Sequence, residues 1–349
     1  MKVTVIKNLN VRVGKPSVNA ICNHYHVPGT IIEVKNKLYK GYGYKGIDTW
    51  FKDIAGNYLW SGGIAKADYQ NEELYSDMWW LCNFKIPDIW NHGITGRGVK
   101  IAVLDSGISY PHVDLDLDQE LFSDLTGKKD WLDKSGHGTH CIGIIKASKA
   151  NSEIMGVAYN STIYVGKISH DIKGDKPEYL VSGIEWAINN KVDIISISKG
   201  SPRWNDADLK RAIDNAVEKG ILIFAAAGNK RSDTSVDELY YPARFKNVIS
   251  VGAIDENNRP ISTTLNTNDI NIYAPGQSIL STHLNNKFER LSGSSQATPY
   301  VAGACALALE SVRIKNSSIN AISIINELLQ RSDNTSFGKI LNIHKYMFN

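Results

Sequence analysis

No apolar run in this 349-residue chain approaches the 18 residues of a membrane-spanning helix. The opening MKVTVIKNLNVRVG alternates apolar and polar residues, as a strand does, and lacks the apolar core of a signal peptide. Both absences lead us to expect a cytoplasmic protein, with no membrane partner. Cysteine is scarce: Cys22, Cys82, Cys141 and Cys305 are widely scattered. No pair has zinc-site spacing, and four reduced thiols are expected in the cytoplasm. Strong charge is also missing. The 39 basic and 36 acidic residues leave a net charge of +3, which does not call for a nucleic acid or an anionic surface. Repeats, low-complexity tracts and redox or organic cofactor motifs are absent, so no cofactor is expected to be required. The 42% apolar and 21% charged residues are those of an ordinary globular protein, with length for one large domain and a small one.

Residues 1–62 read differently from the rest. Short alternating runs (VTVIKNLNVRVG, GTIIEVKN, DTWFKDI, NYLWSGG) are broken by Gly, Pro and Asn turns, which predicts a small all-β barrel or sandwich. Residues 63–76 are polar and are expected to form a linker or short helix. From residue 77 to 349 strand and helix patterns alternate. VKIAVLD (99–105), TIYVGKIS (162–169), VDIISIS (192–198), ILIFAAA (221–227) and VISVGAI (248–254) are continuous apolar runs, suited to a parallel sheet buried on both faces. EYLVSGIEWAINNK and NDADLKRAIDNAVEKG carry apolar residues at helical spacing, the second with Asn205 as candidate cap and Gly220 as stop. The predicted fold is α/β, a doubly wound parallel sheet, whose ligand site lies beyond the carboxyl ends of the strands.

Four motifs fall at strand or helix ends, those of Asp105 and Asn229 at or just past the carboxyl ends of strands. LDSG at 104–107 supplies Asp105, GHGTH at 136–140 supplies His137 and His140, AAAGN at 225–229 supplies Asn229, and GSSQATP at 293–299 supplies Ser294 and Ser295. The order Asp…His…Ser is one of the chain orders in which a hydrolytic triad is found. A serine hydroxyl needs an adjacent base, here a histidine oriented by Asp105. Ser295 would sit near the N-terminus of a small-residue helix, where the dipole favours a developing oxyanion. Pro299 is expected in the first turn of that helix. The Asn229 amide is a candidate oxyanion donor.

Over about residues 78–349 these motifs, with the I-P-x-x-W…G-x-T-G-x-G-V-x-I-A-V-L-D opening and a closing GKILNIHKYM helix, resemble the subtilisin family of serine peptidases. The resemblance implies an endopeptidase with His137 as general base, Asp105 as its partner, Ser295 as nucleophile, Asn229 in the oxyanion hole and His140 in a structural place. It departs from the family in having Ser294 before the nucleophile and Gln296-Ala297-Thr298 after it. It implies a polypeptide substrate held as an extended strand by Lys173-Gly174-Asp175 and Ser198-Lys199-Gly200. Lys199 stands where the family commonly has Leu, Lys230 follows Asn229, and Tyr240 stands at a pocket floor that is often Gly. Small or acidic substrate side chains are therefore expected near the cut. Asp114 matches a calcium-ligand position in the family, but the loop at 147–154 has Ala150 in place of the usual Asn, so calcium is not expected to be required. LNVRVGKPS, VPGTIIEV and IDTWFKDIAGNYLWSGGI, with Trp50 and Trp60, resemble a bacterial SH3-like domain, which implies a protein or peptide ligand. An inactive adaptor, binding a partner peptide through this module and a dead subtilisin fold, is the alternative.

Overall fold

The computed structural model describes residues 2–5, 7–35, 37, 39–44, 47–66, 78–147, 154–170, 175–230, 237–315 and 321–348. The chain divides into two compact units, with the break after Gly93.

The first unit is built mainly of antiparallel strands. Lys2–Val5 lies between Ile31–Glu33 and Ile64–Lys66 in a three-stranded sheet. A five-stranded sheet runs in the order Cys22–His26, Leu9–Arg12, Tyr58–Trp60, Ile47–Lys52, Tyr39–Tyr44. The alternation predicted from the sequence has its physical basis here: Leu9 and Val11 point into the core while Asn10 and Arg12 are half-buried. That core joins Val3, Val5, Leu9, Val11, Ile32, Val34 and Leu59. Trp50 pairs with Trp60 across neighbouring strands, is 1% exposed, and donates its indole N–H to the Tyr42 carbonyl at 3.2 Å. It is therefore a core residue. The helices Trp79–Cys82 and Ile86–Asn91 complete the described part of this unit.

The second unit carries a nine-stranded sheet. Its strands are β1 (Lys100–Asp105), β2 (Phe122–Asp124), β3 (Thr162–Lys167), β4 (Ile194–Ile197), β5 (Leu222–Ala226), β6 (Ile249–Ile254) and β7 (Ile272–Pro275). A hairpin of β8 (Ile279–Thr282) and β9 (Phe288–Leu291) stands apart, and β10 (Asp333–Thr335) and β11 (Gly338–Ile340) close the sheet. The order is β2-β3-β1-β4-β5-β6-β7-β11-β10, parallel except for the antiparallel pair β10–β11. Strand positions agree with the five apolar runs to within two residues.

Six helices accompany the sheet: α1 (His137–Lys146), α2 (Pro177–Asn189), α3 (Ala207–Glu218), α4 (Ser294–Ile314), α5 (Ala321–Arg331) and α6 (Ile343–Phe348). On one face Leu104, Ile195, Ile197 and Ile223 of the sheet pack against Leu180 and Ile184 of α2 and Leu209 and Ile213 of α3. Helices α1 and α4 pack against the sheet as well, α4 running against β4 to β7. Burying each large aliphatic side chain contributes about 1.5–3 kcal/mol, so this continuous apolar layer fixes the strand ends that carry the motifs.

Three details differ from the sequence expectation. The cap of α3 is Asp206, whose carboxylate accepts from Leu209 N at 2.8 Å, and not Asn205. Gly220 does end that helix region, with φ of 80°. Of the GKILNIHKYM segment, Gly338–Ile340 is a strand and only Ile343–Phe348 is helical. Helix α4 begins at Ser294, so Pro299 lies in its second turn. A proline there cannot donate to the carbonyl four residues back, that of Ser295. Two outside donors replace it: Ser198 Oγ at 2.8 Å and Cys141 Sγ at 3.5 Å. The proline thus opens a helix carbonyl to the neighbouring elements, at the motif serine.

Candidate active site

Asp105 is the last residue of β1, and His137 the first of α1. The turn between them is organised by a residue that the motif reading passed over. Asp133 is 6% exposed and accepts six hydrogen bonds. Oδ1 takes Ser106 Oγ, Ser135 N, Ser135 Oγ and Gly136 N at 2.9–3.1 Å; Oδ2 takes Thr139 N and Thr139 Oγ1 at 3.0 and 2.7 Å. A carboxylate here satisfies amides at the start of α1 that would lack partners, and its charge opposes the helix dipole. Gly136 enters the helix at φ of 82°, and a Cβ on it would lie 2.0 Å from the His283 ring. Only glycine meets both demands. The visible signal for Asp133 was an Asp two residues before a Ser-Gly pair ahead of a helix.

His137 Nδ1 and Asp105 Oδ1 share a 2.8 Å hydrogen bond. The Asp105 oxygen also accepts from Ser106 N at 2.7 Å, and its side chain is 1% exposed. Burial works to raise the Asp105 pKa, but His137, the Lys199 ammonium and the hydrogen bonds outweigh it and hold the group at about 2. Burial likewise works to lower that of His137, and the Asp105 carboxylate reverses this, leaving it well above 6.5. His140 behaves oppositely. It is fully buried, its Nε2 is 3.0 Å from the carbonyls of Ile279 and Glu289, and burial pushes its pKa down to about 4. Of the two histidines in GHGTH, His137 alone is half-buried and paired with a carboxylate.

The two serines of GSSQATP have different surroundings. Ser294 is 1% exposed; its Oγ donates to Gly228 O at 3.1 Å and lies 3.2 Å from Asn229 Oδ1, which also accepts from Ser294 N. Those bonds occupy the amide oxygen, and the Asn229 amide stands beside Gly293, the residue before the two serines. Ser295 is half-buried, and its hydroxyl donates to Ser198 O at 3.1 Å. No hydrogen bond links Ser295 to His137 among the described residues. Their neighbourhood is marked by Cys141, whose sulfur is 3.5 Å from Ser295 O and 4.0 Å from His137 Nδ1. Burial pushes the Cys141 thiol pKa up, so it is a neutral neighbour.

Of the substrate-binding candidates, Lys173 and Gly174 lie outside the described residues. Asp175 is half-buried, its pKa is raised by burial, and its Oδ1 has no hydrogen-bond partner. Ser198, Lys199 and Gly200 follow β4 directly. Lys199 turns inward, its Nζ 4.0 Å from Asp105 Oδ1. Lys230 is exposed. Tyr240 bonds its N–H to Ala227 O at 2.9 Å and its hydroxyl to Asn229 O at 3.3 Å. A Cβ on Gly228, at φ of 106°, would fall 2.6 Å from the Tyr240 ring, so the tyrosine lies flat on the backbone before Asn229.

Asp105, His137 and Cys141 offer ligand atoms within 4.8 Å of one another. Two of those atoms, His137 Nδ1 and Asp105 Oδ1, already bond each other. At Asp114, which is 3% exposed, no group of three or more carboxylate, imidazole or thiol ligands gathers among the described residues; residues 148–153, including Ala150, lie outside them.

The sequence model of the Subtilase family matches residues 96–338. The chain belongs to the subtilase family. As a subtilase it is a serine-type endopeptidase, a hydrolase. It is 40% identical to the major intracellular serine protease of Bacillus subtilis (strain 168) over 231 residues, 64% of this chain and 72% of that one. It is 38% identical to the subtilisin of Bacillus pumilus over 229 residues, covering 66% of this chain and 83% of the other. Among solved structures, the prenylagaramide maturation protease PagA superposes with a TM-score of 0.65 at 27% identity, over 75% of this chain and 96% of that one. No helix among the described residues is long and apolar enough to cross a membrane.

Proposed function

We propose that this subtilase cuts peptide bonds through an acyl-enzyme on Ser295. The observation that carries the reading is the Asp105–His137 hydrogen bond set beside Ser295, with the Asn229 amide held by Ser294 next to it. In the reaction the Ser295 hydroxyl leaves the Ser198 carbonyl and gives its proton to His137 as Oγ attacks the scissile carbonyl. Asp105 keeps the imidazole in orientation and balances its charge. The carbonyl oxygen becomes an oxyanion, met by Asn229 Nδ2 at the positive end of α4. His137 then protonates the leaving amine, and water repeats the sequence to release the acid and restore Ser295. The long Ser295–His137 approach is common before substrate binds.

The substrate is a polypeptide laid as a strand along Asp175 and Ser198–Gly200, with Lys173 and Gly174 continuing that edge. Tyr240 and Lys230 border the primary side-chain pocket. No metal ion takes part. Residues 1–62, with the strand Ile64–Lys66 in their sheet, serve as an SH3-like module that binds a protein or peptide, and the catalytic chemistry belongs to the unit that begins after Gly93. The four free cysteines support a cytoplasmic location.

The test is labelling by a fluorophosphonate, with the modified residue located by mass spectrometry. Ser295 is the expected site; Ser295→Ala should abolish labelling, and Ser294→Ala should slow it without abolishing it. Labelling that survives Ser295→Ala overturns the assignment.

A further inference from the structure

A buried carboxylate needs a counter-charge, and His137 supplies one to Asp105 only when protonated. In the state ready for catalysis the imidazole is neutral. Asp105 is then left with hydrogen bonds on Oδ1 from Ser106 N and His137 Nδ1, and with an Oδ2 that has no hydrogen-bond partner. The one cation in ion-pair range of Asp105 among the described residues, apart from His137, is Lys199, at 4.0 Å and with its side chain only 17% exposed. Its position follows from the fold. Strands β1 and β4 are neighbours in register, Leu104 beside Ile197. Ser198 is then clamped to Ser295 by two reciprocal hydrogen bonds, 2.8 and 3.1 Å. Lys199 is the first side chain past that clamp, and it reaches back over the end of β1.

We propose that Lys199 is a positioning residue that acts through Asp105: its permanent charge shares the buried carboxylate with His137 and keeps the imidazole neutral at lower pH. This rests on the reading of Asp105 and His137 as the acid–base pair. The Asp105 carboxylate raises the His137 pKa, and a base protonated at the working pH cannot take the serine proton. A fixed cation on the same carboxylate opposes the second positive charge. It does not remove the carboxylate's hold on Nδ1–H, so orientation is kept while basicity falls.

Other charges nearby do not replace it. Cys141 is a neutral thiol, and His140 is buried with a depressed pKa. Asp175 feels both Lys199 and Asp105, and His170 acts on Asp175 from farther along the same side. Asp175 makes no ion pair with Lys199 among the described residues, so the ammonium's short contact is with Asp105.

The experiment compares wild type, Lys199→Met and Lys199→Arg as full-length chains. The His137 ring is followed by NMR through a pH titration, its signal assigned by its loss in His137→Gln. The same proteins are assayed for the pH dependence of kcat/KM on a peptide ester. Removing the charge should raise the His137 titration midpoint, and with it the acidic limb of kcat/KM, by about half to one pH unit, from like charges a few ångströms apart at intermediate effective dielectric. Lys199→Arg should restore both. A merely structural lysine would alter the urea midpoint and leave the titration in place. An unchanged or lowered His137 midpoint in folded Lys199→Met overturns the proposal. A raised midpoint together with no fluorophosphonate labelling of Ser295 would refute the hydrolytic reading and leave this electrostatic one standing.

Discussion

Asp133 offers the sharpest test of how the fold builds the site. Asp133→Asn keeps the shape and removes one acceptor oxygen and the charge. If the amide oxygen replaces Oδ1, its bonds to Ser106, Ser135 and Gly136 survive in weaker, neutral form. The new NH2 then faces Thr139 N, a donor, at a fully buried position. Thr139 Oγ1 is already the acceptor for Ser109 N, so it can turn toward the amide only by giving up its bond to the carboxylate. Hydrogen bonds to a charged group are worth about 1.5–3 kcal/mol each, and a stranded buried donor costs about 1–3 kcal/mol. Two lost bonds to Thr139 therefore give a destabilisation of about 3–5 kcal/mol, a large share of a typical domain's 5–15 kcal/mol. The loss is focused on the first turn of α1, which begins with His137. Urea unfolding should show a lower midpoint at unchanged slope, and kcat/KM should fall at least about tenfold at temperatures where the variant is fully folded. Lys134→Ala is the control. Lys134 is exposed and pairs only at the surface with Asp130, so its loss should cost no more than about 1 kcal/mol. If Asp133→Asn unfolds within 1 kcal/mol of wild type and retains its kcat/KM, the turn is not held by this carboxylate and the argument fails.

Asn229→Ala should lower kcat by about 10²–10³ with little change in KM, the loss associated with one oxyanion donor; steady-state kinetics on a peptide ester would check it, and an equal rise in KM at constant kcat would count against the role. His140 gives a pH signature. Its folded pKa of about 4 lies below the unfolded value of about 6.5, so between these limits the unfolded chain holds a proton that the fold refuses. Stability should therefore be complete above about pH 6.5 and fall as pH drops toward 4, by about 3 kcal/mol for this group. Urea unfolding across that range should show the slope, and His140→Asn should make it shallower; an identical slope in the variant would refute the assignment.

The strands were legible because each is a short, continuous apolar run, which a sheet covered on both faces requires. The helices were legible in type, and their ends less so. Asp206 and Asn205 are both good capping residues, and the sequence alone ranks them closely. Only the backbone, extended at Asp206, decides which one accepts from Leu209. Pro299 misled for an instructive reason. The rule against interior proline assumes that the freed carbonyl has no other donor. Here Ser198 and Cys141 come from elements 97 and 154 residues away in sequence. A local pattern carries no information on such donors.

The site shows the same division. Asp105, His137, Asn229 and Ser295 were visible as candidates because each stands in a small-residue turn at a strand or helix end, from which a side chain can project. Ser294 and Ser295 could not be separated by type, and their burial separates them. Lys199 shows where residue type stops short. On the sequence it is one of two cations available to an acidic substrate side chain. In the fold its ammonium faces Asp105. A cation already serving an internal carboxylate has less left for a substrate's. What then borders the pocket is Tyr240, pinned across Gly228 by contact and by its bond to Asn229 O, with the exposed Lys230 at the rim. A partly exposed ion pair contributes about 0–1 kcal/mol, and a misfit against a fixed ring about 1–3 kcal/mol. Selection by size is therefore expected to outweigh selection by charge, and it would come from a residue held in place by the backbone of the same asparagine that is proposed as the oxyanion donor.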